Sequence, residues 1–137
     1  MKKVLAFGVF DAIHDGHKNF LEQAKKLGDE LVVAVAPDEA VIQIKKHSPK
    51  FTLERRIKDV TDKTCASAVI AGDTTPGKWQ IIKNVSPDII ALGYDQNDLL
   101  NTLADFKRTS AKKFEIIKLK PYKPDIMHSS INDKLRD

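Results

Sequence analysis

The sequence predicts an α/β fold, a single doubly wound, Rossmann-like domain with a five-stranded parallel sheet. Three observations predict it. The chain has 137 residues, the length of one domain. Its apolar residues gather in short, nearly continuous runs, which is typical of strands buried on both faces of a parallel sheet. Segments of helical periodicity separate these runs, and this alternation indicates successive βαβ units.

The beginning of the chain carries the clearest pattern. Residues 4–10 are almost all apolar and predict a buried strand. Residues 16–27 change to helical periodicity and predict a helix with Asp15 as its N-cap and Gly28 as its C′ residue. Residues 31–36 return to an apolar, β-branched run. Strand, helix and strand in this order predict a right-handed βαβ unit.

The same alternation continues along the rest of the chain. Residues 88–92 form an apolar run that ends at Gly93, and residues 114–119 alternate between apolar and charged, as a half-exposed edge strand does. The remaining strand is predicted at residues 66–71. Helices are predicted at residues 37–46, 52–63 with Thr52 as the cap, 78–84, 97–111 and 130–137. No linker or repeat interrupts the pattern, so residues 1–137 are expected to form one domain.

The composition excludes several classes of function. Lysine and arginine number 23 against 19 aspartates and glutamates, a formal net charge of +4. The basic residues are interleaved with acids and form no stripe with aromatic residues, so no nucleic-acid partner is expected. No apolar run approaches the roughly 20 residues of a membrane span, and no membrane partner is expected. The single cysteine, Cys65, excludes an intrachain disulfide and predicts a cytoplasmic location, with the thiol buried and inert.

The turn after the first strand holds the strongest functional signal. In a doubly wound sheet, ligands bind outside the carboxyl ends of the strands. The first of these ends reads Gly8-Val9-Phe10-Asp11-Ala12-Ile13-His14-Asp15-Gly16-His17. A helix start favours an anion, and a glycine there lets a phosphate approach the backbone. The two imidazoles can donate hydrogen bonds to phosphate oxygens, which predicts His14 and His17 as catalytic residues.

Zinc binding is the rival chemistry for two histidines in this spacing. Zinc would need a third and often a fourth ligand from the protein. Cys65 is expected near the opposite end of the sheet, and nothing in the spacing of His47 or His128 demands that either joins the pair. No protein metal site is therefore predicted.

The run from Gly8 to His17 resembles the signature of the cytidylyltransferase-like nucleotidyltransferase family. The resemblance covers nearly the whole chain. Residues 27–33 resemble the family's entry to its second strand, 52–56 its Glu-x-Arg helix, 87–96 its fourth strand and nucleoside-binding turn, and 128–130 the Ser/Thr-rich motif that opens its last helix. Within the family the chain is most similar to the archaeal-type FAD synthases, and next to the glycerol-3-phosphate cytidylyltransferases.

This resemblance implies an enzyme, a nucleotidyltransferase that joins the nucleoside monophosphate unit of an NTP to a phosphate-bearing acceptor and releases pyrophosphate. It favours ATP over CTP and FMN as the acceptor, which would make the product FAD. The alternative is a cytidylyltransferase acting on glycerol 3-phosphate or another small phosphate. A catalytically silent nucleotide-binding module is the alternative from another class. Mg²⁺ or another divalent cation is expected with the NTP, and a homodimer is expected because small members of the family commonly pair.

The resemblance also implies roles for individual residues. His14 and His17 would stabilise the α-phosphate region, and Lys45, on the connection before Pro49, would reach the phosphates as a third catalytic residue. Ser129 and Ser130 would hold the β- and γ-phosphates. Nucleotide or phosphate binding is implied for Gly8, Val9, Phe10, Asp11, Gly16, Arg56, Gly93, Asp95, His128, Ser129 and Ser130.

Several of these assignments keep an alternative. Asp11 either orients its loop or approaches the metal. Arg56 either reaches the site or pairs with Glu54 or Asp59. Trp79 and Tyr94 could stack on a ring, although an aromatic such as Trp79 belongs more often to a core or an interface. Val9 stands where the family usually has Thr or Ser, so the hydroxyl that would meet substrate phosphate is absent here.

Overall fold

Strands and helices alternate along the part of the chain that the computed structural model describes, residues 2–74, 79–94, 96–110 and 113–120. The strands are β1 (Lys3–Gly8), β2 (Glu30–Val35), β3 (Ala68–Ala71), β4 (Ile89–Leu92) and β5 (Glu115–Lys118). The helices are α1 (Asp15–Lys25), α2 (Asp38–Lys45), α3 (Leu53–Lys63), α4 (Gln80–Val85) and α5 (Asn97–Thr109).

The strands form one parallel sheet in the order β3-β2-β1-β4-β5. This confirms the predicted fold class, the five-stranded parallel sheet and β5 as an edge strand. From β1 the chain moves outward to β3 and then crosses to β4 on the other side of β1. The strand order therefore reverses between β1 and β4, and a ligand crevice is expected outside their carboxyl ends.

Each face of the sheet is covered by its own helices. Val4 and Ala6 of β1 pack on one side with Leu21 of α1 and Val60 of α3. Leu5, the residue between them, points to the other side, because successive side chains of a strand alternate. That second layer holds Trp79, Ile82, Leu103 and Phe114. Burial on both faces explains why the strands read as nearly continuous apolar runs.

Trp79 belongs to this second layer. Its side chain is buried, and its ring meets Phe7 edge-on with centroids 5.7 Å apart. A second aromatic contact joins it to Phe106 of α5. Trp79 is therefore a core residue, the plainer of its two alternatives.

Several local expectations are corrected. The N-cap of α1 is His14, not Asp15, and its C-cap is Lys26, so Gly28 is not the C′ residue. Gly28 packs instead against the backbone at the start of β1, because a Cβ on it would come within 2.8 Å of the Lys2 carbonyl oxygen. Lys45 is the last residue of α2 and not part of the following connection. Thr52 is confirmed as the cap of α3, since its hydroxyl accepts a hydrogen bond from the N–H of Arg55 at 3.3 Å.

Cys65 is exposed, which overturns the expectation of a buried thiol. It lies in the turn between α3 and β3, where the chain passes over the surface. The predicted helix at residues 130–137 lies outside the described residues. Over the described ranges, no helix has both the length and the apolar character needed to cross a membrane.

Candidate active site

His14 and His17 are held by the first turn of α1. His14 has extended backbone angles (φ −135°, ψ 178°), and its Nδ1 accepts a hydrogen bond from the N–H of Gly16 at 3.1 Å. The N–H of His14 donates in turn to Nδ1 of His17 at 3.3 Å. The two rings stack with their centroids 3.8 Å apart and their planes at 21°. The helix start thus brings the two predicted catalytic residues into contact.

These hydrogen bonds determine which nitrogen of each ring carries the proton. An Nδ1 that accepts from a backbone N–H has no proton of its own. In a neutral imidazole the proton is then on Nε2. Both rings therefore present an Nε2–H donor, the group that a phosphate oxygen accepts from. The sequence predicted the donors, and the geometry explains how they are oriented.

Two glycines make room for this arrangement. A Cβ on Gly16 would lie 2.9 Å from Cε1 of His14 and 3.1 Å from its Nδ1. Gly16 therefore leaves space for the His14 ring, a different reason from the phosphate approach that the sequence suggested. A Cβ on Gly8 would lie 2.5 Å from the ring of Phe10. Phe10 adopts a left-handed backbone (φ 52°), and its buried ring meets His17 edge-on at 5.2 Å.

Asp11 anchors a distant part of the chain. Its carboxylate oxygens accept hydrogen bonds from the N–H groups of Lys50 at 2.8 Å and Phe51 at 2.9 Å. Burial acts to raise the pKa of Asp11, but these two hydrogen bonds and the positive charges of Arg56 and Lys50 outweigh it and lower the pKa below its usual range. Of the two roles left open for Asp11, the structure favours orientation of the loop.

Arg56 lies beneath the carboxyl edge of the sheet and does not line an open site. Its side chain has 0% exposure. Its Nη1 donates to the carbonyls of Val9 (2.9 Å) and Ala36 (2.7 Å). Its Nε donates to the carbonyl of Phe51 (3.0 Å), and its Nη2 pairs with Asp38 at 2.5 Å.

This arrangement corrects the phosphate-binding role implied for Arg56, because its donors are engaged by the protein. The pairings suggested with Glu54 or Asp59 are not those of Arg56 either: Asp59 pairs with the neighbouring Arg55. Arg56 instead joins the turns that follow β1 and β2.

Lys45 lies in the segment of residues 38–50, and both ends of this segment are bonded to residues at the carboxyl edge of the sheet. Asp38, at the start of α2, is paired with Arg56, and Lys50, after α2, donates to Asp11. Lys45 itself lies exposed in the last turn of α2, and Lys46 follows in a left-handed conformation (φ 66°). The structure thus fixes both ends of the segment that carries Lys45 at the carboxyl edge of the sheet.

The turn after β4 would form the other wall of the crevice expected at the carboxyl ends of β1 and β4. The N–H of Gly93 donates to Oε1 of Gln96 at 2.8 Å, and Nε2 of Gln96 donates to the carbonyl of Phe7 at 3.2 Å. Gln96 was not among the site residues predicted from the sequence, although it ends the Leu-Gly-x-Asp-Gln stretch that resembles the nucleoside-binding turn. Four predicted site residues lie outside the described residues: Asp95, His128, Ser129 and Ser130.

No group of three or more His, Cys, Asp or Glu side chains that could hold a metal ion occurs among the residues that the structure describes. Cys65 lies before β3, at the amino end of the sheet, whereas His14 lies after β1, at the carboxyl end.

A family model described as cytidylyltransferase-like matches residues 5–131. The chain is 37% identical over 129 residues to a protein named FAD synthase from Thermococcus sibiricus, which covers 93% of this chain and 87% of that protein. It is 42% identical over 122 residues to one of the same name from Ferroglobus placidus, covering 88% and 77%.

A solved structure shares the fold over nearly its full length. The crystal structure described as the lipopolysaccharide core biosynthesis protein from Thermoplasma volcanium superposes with a TM-score of 0.76. The sequence identity is 32%, and the match covers 90% of this chain and 99% of that one.

Proposed function

Since this chain belongs to the cytidylyltransferase-like family and is a nucleotidyltransferase, we propose that it transfers AMP from ATP to FMN, with FAD and pyrophosphate as products. The single observation that carries this choice of substrates is the set of relatives named FAD synthase. Two of them are 37% and 42% identical to the chain, and each match covers most of both proteins. The stacked pair of histidines supports the reaction type.

The proposed reaction is a direct displacement at phosphorus. A phosphate oxygen of FMN attacks the α-phosphorus of ATP, the new P–O bond forms, and the bond to the bridging oxygen breaks to release pyrophosphate. The phosphate of FMN is largely ionised near neutral pH, since its second pKa is about 6. The attack therefore needs no general base. The protein must align the two phosphates and stabilise the negative charge of the transition state.

The described residues are suited to that task. The rings of His14 and His17 stack just after β1, and their Nε2–H groups would donate to the α-phosphate oxygens. Lys45 lies in the segment whose ends are bonded to Asp11 and Arg56. Its long, flexible side chain would bring an ammonium group to the same phosphates. We assign the triphosphate tail to Ser129 and Ser130, by resemblance.

The proposed reaction also uses Mg²⁺, as the counter-ion of the nucleotide. It would enter bound to the triphosphate and neutralise part of its charge. Gly93 and Asp95, in the turn after β4, are proposed to meet the nucleoside. Cytoplasmic location and assembly into a homodimer remain predictions of the sequence.

A screen for pyrophosphate release tests the proposal. ATP and CTP are each combined with FMN, glycerol 3-phosphate, phosphopantetheine and a sugar phosphate, with Mg²⁺ present. We expect ATP with FMN to give the highest turnover and chromatography to identify FAD. A preference for CTP with glycerol 3-phosphate would overturn the substrate assignment but retain the class. Binding of ATP without pyrophosphate release from any pair would indicate the silent module.

A further inference from the structure

The direct backbone hydrogen bonds between β1 and β4 stop at the carboxyl end of the two strands, where a side chain takes over. The paired residues are Val4 with Ile89, Leu5 with Ile90 and Ala6 with Ala91. In a parallel ladder, every second residue of a strand bonds to the same neighbour, through the residues on either side of its partner. The carbonyl of Gly8 accepts from the β2 side, from the N–H of Ala36 at 2.9 Å.

The carbonyl of Phe7 therefore faces β4, one residue before the carbonyl of Gly8 faces β2. With the register of Ala6 and Ala91 continued, the next rung of the ladder would run from the N–H of Gly93 directly to the carbonyl of Phe7. That direct hydrogen bond is replaced by the side chain of Gln96.

The amide of Gln96 lies between these two backbone groups. The N–H of Gly93 donates to Oε1 at 2.8 Å, and Nε2 donates to the carbonyl of Phe7 at 3.2 Å. The orientation of the amide is unambiguous, because an N–H can only donate and a carbonyl can only accept. One side-chain amide thus occupies one rung, and the two backbones are separated by two hydrogen bonds where a closed ladder has one.

The position of Gln96 in its own helix makes this use of the side chain informative. Gln96 is the N-cap of α5, yet its side chain makes no capping hydrogen bond. Ser, Thr, Asp or Asn is the favoured residue at an N-cap, because a short side chain reaches the first N–H groups of the helix. A short side chain would not span from Gly93 to Phe7. The residue found here therefore suits the gap between the strands better than the helix.

We infer that Gln96 is a positioning residue for nucleotide binding: its amide spaces the carboxyl ends of β1 and β4 and so sets the width of the crevice between the histidine turn and the turn at Gly93. This inference rests on the proposed function, which has the nucleotide contact both walls. β1 continues directly into the loop of His14 and His17, whereas β4 continues into Gly93. Loss of the spacer moves one wall relative to the other and leaves the histidine pair intact.

The first test replaces the amide by an apolar side chain of similar length. Gln96→Met should raise both the Kd and the KM for ATP about tenfold, the scale expected for lost hydrogen bonds of part-buried groups. The kcat should stay within about threefold, because the histidines are not touched. Gln80→Met is the matched control, since Gln80 lies exposed on α4 and its amide donates only to Asn84 at 3.3 Å among the bonds described.

The second test uses Gln96→Glu, a side chain that regains a hydrogen-bond donor only when it is protonated. Gln96→Glu keeps an oxygen for the N–H of Gly93 but, when ionised, places a carboxylate against the carbonyl of Phe7. The protonated acid can donate to that carbonyl. Partial burial beside the carbonyl of Phe7 favours the neutral acid and raises the pKa of the introduced carboxyl above its ordinary value of about 4.3. The Kd of this variant for ATP, relative to the wild type, should be about tenfold higher at about pH 8 and should recover to about twofold at about pH 5.5. Division by the wild-type value at each pH cancels the titration of the histidines and of ATP.

The outcomes separate this inference from the proposed function. The Kd is measured for whichever of ATP and CTP the wild type binds. A folded Gln96→Met protein with unchanged Kd overturns the inference. If that variant does not fold, Gln96→Glu decides: recovery in acid supports the spacer, and equal weakening at both pH values overturns it. A wild type that binds ATP but releases no pyrophosphate with FMN contradicts the acceptor assignment, while the role of Gln96 is still decided by the Kd values.

Discussion

The N–H of His14 donates to Nδ1 of His17 while the two imidazole rings stack 3.8 Å apart, so the pair is organised by the same bonds that begin α1. The hydrogen bonds that cap the helix use Nδ1 of each ring, whereas the proposed reaction uses the other nitrogen. Nδ1 accepts from the backbone, and in the proposed reaction the Nε2–H would donate to phosphate. This division of labour can be tested, because an asparagine can replace one function without the other.

We expect His14→Asn and His14→Ala to differ in stability but not in activity. Asparagine is a good N-cap and should hold the free energy of unfolding within about 0.5 kcal/mol of the wild type, whereas alanine should lose about 1 kcal/mol. Both should reduce kcat by about 10²-fold or more, since neither shorter side chain places a donor where the Nε2–H of the imidazole stood. Urea unfolding and steady-state kinetics measure the two effects. The exposed His47 provides the control, His47→Ala. Retention of activity in His14→Asn would contradict the catalytic role.

Gly16→Ala should displace the His14 ring. The added Cβ would lie 2.9 Å from Cε1 of that ring, so the ring must move and its Nε2–H with it. We expect at least about tenfold lower kcat. Gly72→Ala is the matched control, because a Cβ there meets nothing closer than 3.6 Å. Equal activity of the two variants would show that the ring position does not matter.

Arg56→Met should destabilise the protein far more than Arg55→Met. Arg56 is fully buried, and its loss leaves the carbonyls of Val9, Ala36 and Phe51 without their donor and Asp38 without its partner. The free energy of unfolding should fall by about 3–5 kcal/mol. Arg55 is 54% exposed and pairs with Asp59, so its replacement should cost less than about 1 kcal/mol. Urea unfolding measures both free energies. Similar decreases for the two variants would contradict the role of Arg56 in holding the turns after β1 and β2 together.

Asp11 should make stability depend on pH in acid. Its pKa in the folded protein is lowered below the ordinary value of about 3.9, so the folded state favours the carboxylate. The resulting stabilisation is fully present above that ordinary value and is lost as the pH falls through the lowered pKa. We expect Asp11→Asn to be less stable than the wild type near pH 7 and the two unfolding free energies to converge below about pH 4. Curves that stay parallel over this range would contradict the assignment.

Lys45→Ala and Lys46→Ala remove the same charge from adjacent exposed positions, so their long-range electrostatic effects cancel in the comparison. If Lys45 reaches the phosphates, its loss should lower kcat/KM for ATP at least about tenfold, the scale of a charge-assisted hydrogen bond. Lys46→Ala should change it less than about twofold. Steady-state kinetics at constant ionic strength tests this, and the reverse order would move the role to Lys46.

The architecture could be predicted from local patterns because those patterns have local causes. Strands buried on both faces must be apolar at consecutive positions, and helices must be apolar on one side, so periodicity reveals both. The histidine pair could be found in the same way, since the two lie three positions apart along one turn. Helix ends were predicted less well: Asp15 was a reasonable cap, but the ring of His14 reaches the N–H of Gly16 and takes that role.

The sequence alone could not predict the partners of Arg56, Asp11 and Gln96, which are visible only in the folded chain. Arg55 and Arg56 look alike in the sequence, yet a step of one residue around α3 points Arg56 inward with Val60 and Arg55 outward toward Asp59. Asp11 meets a turn 39 residues away, and Gln96 meets a carbonyl 89 residues away. Hydrophobic periodicity is a property of neighbouring residues, whereas these hydrogen bonds form between groups that come together when the sheet closes, and no local pattern records such a partner.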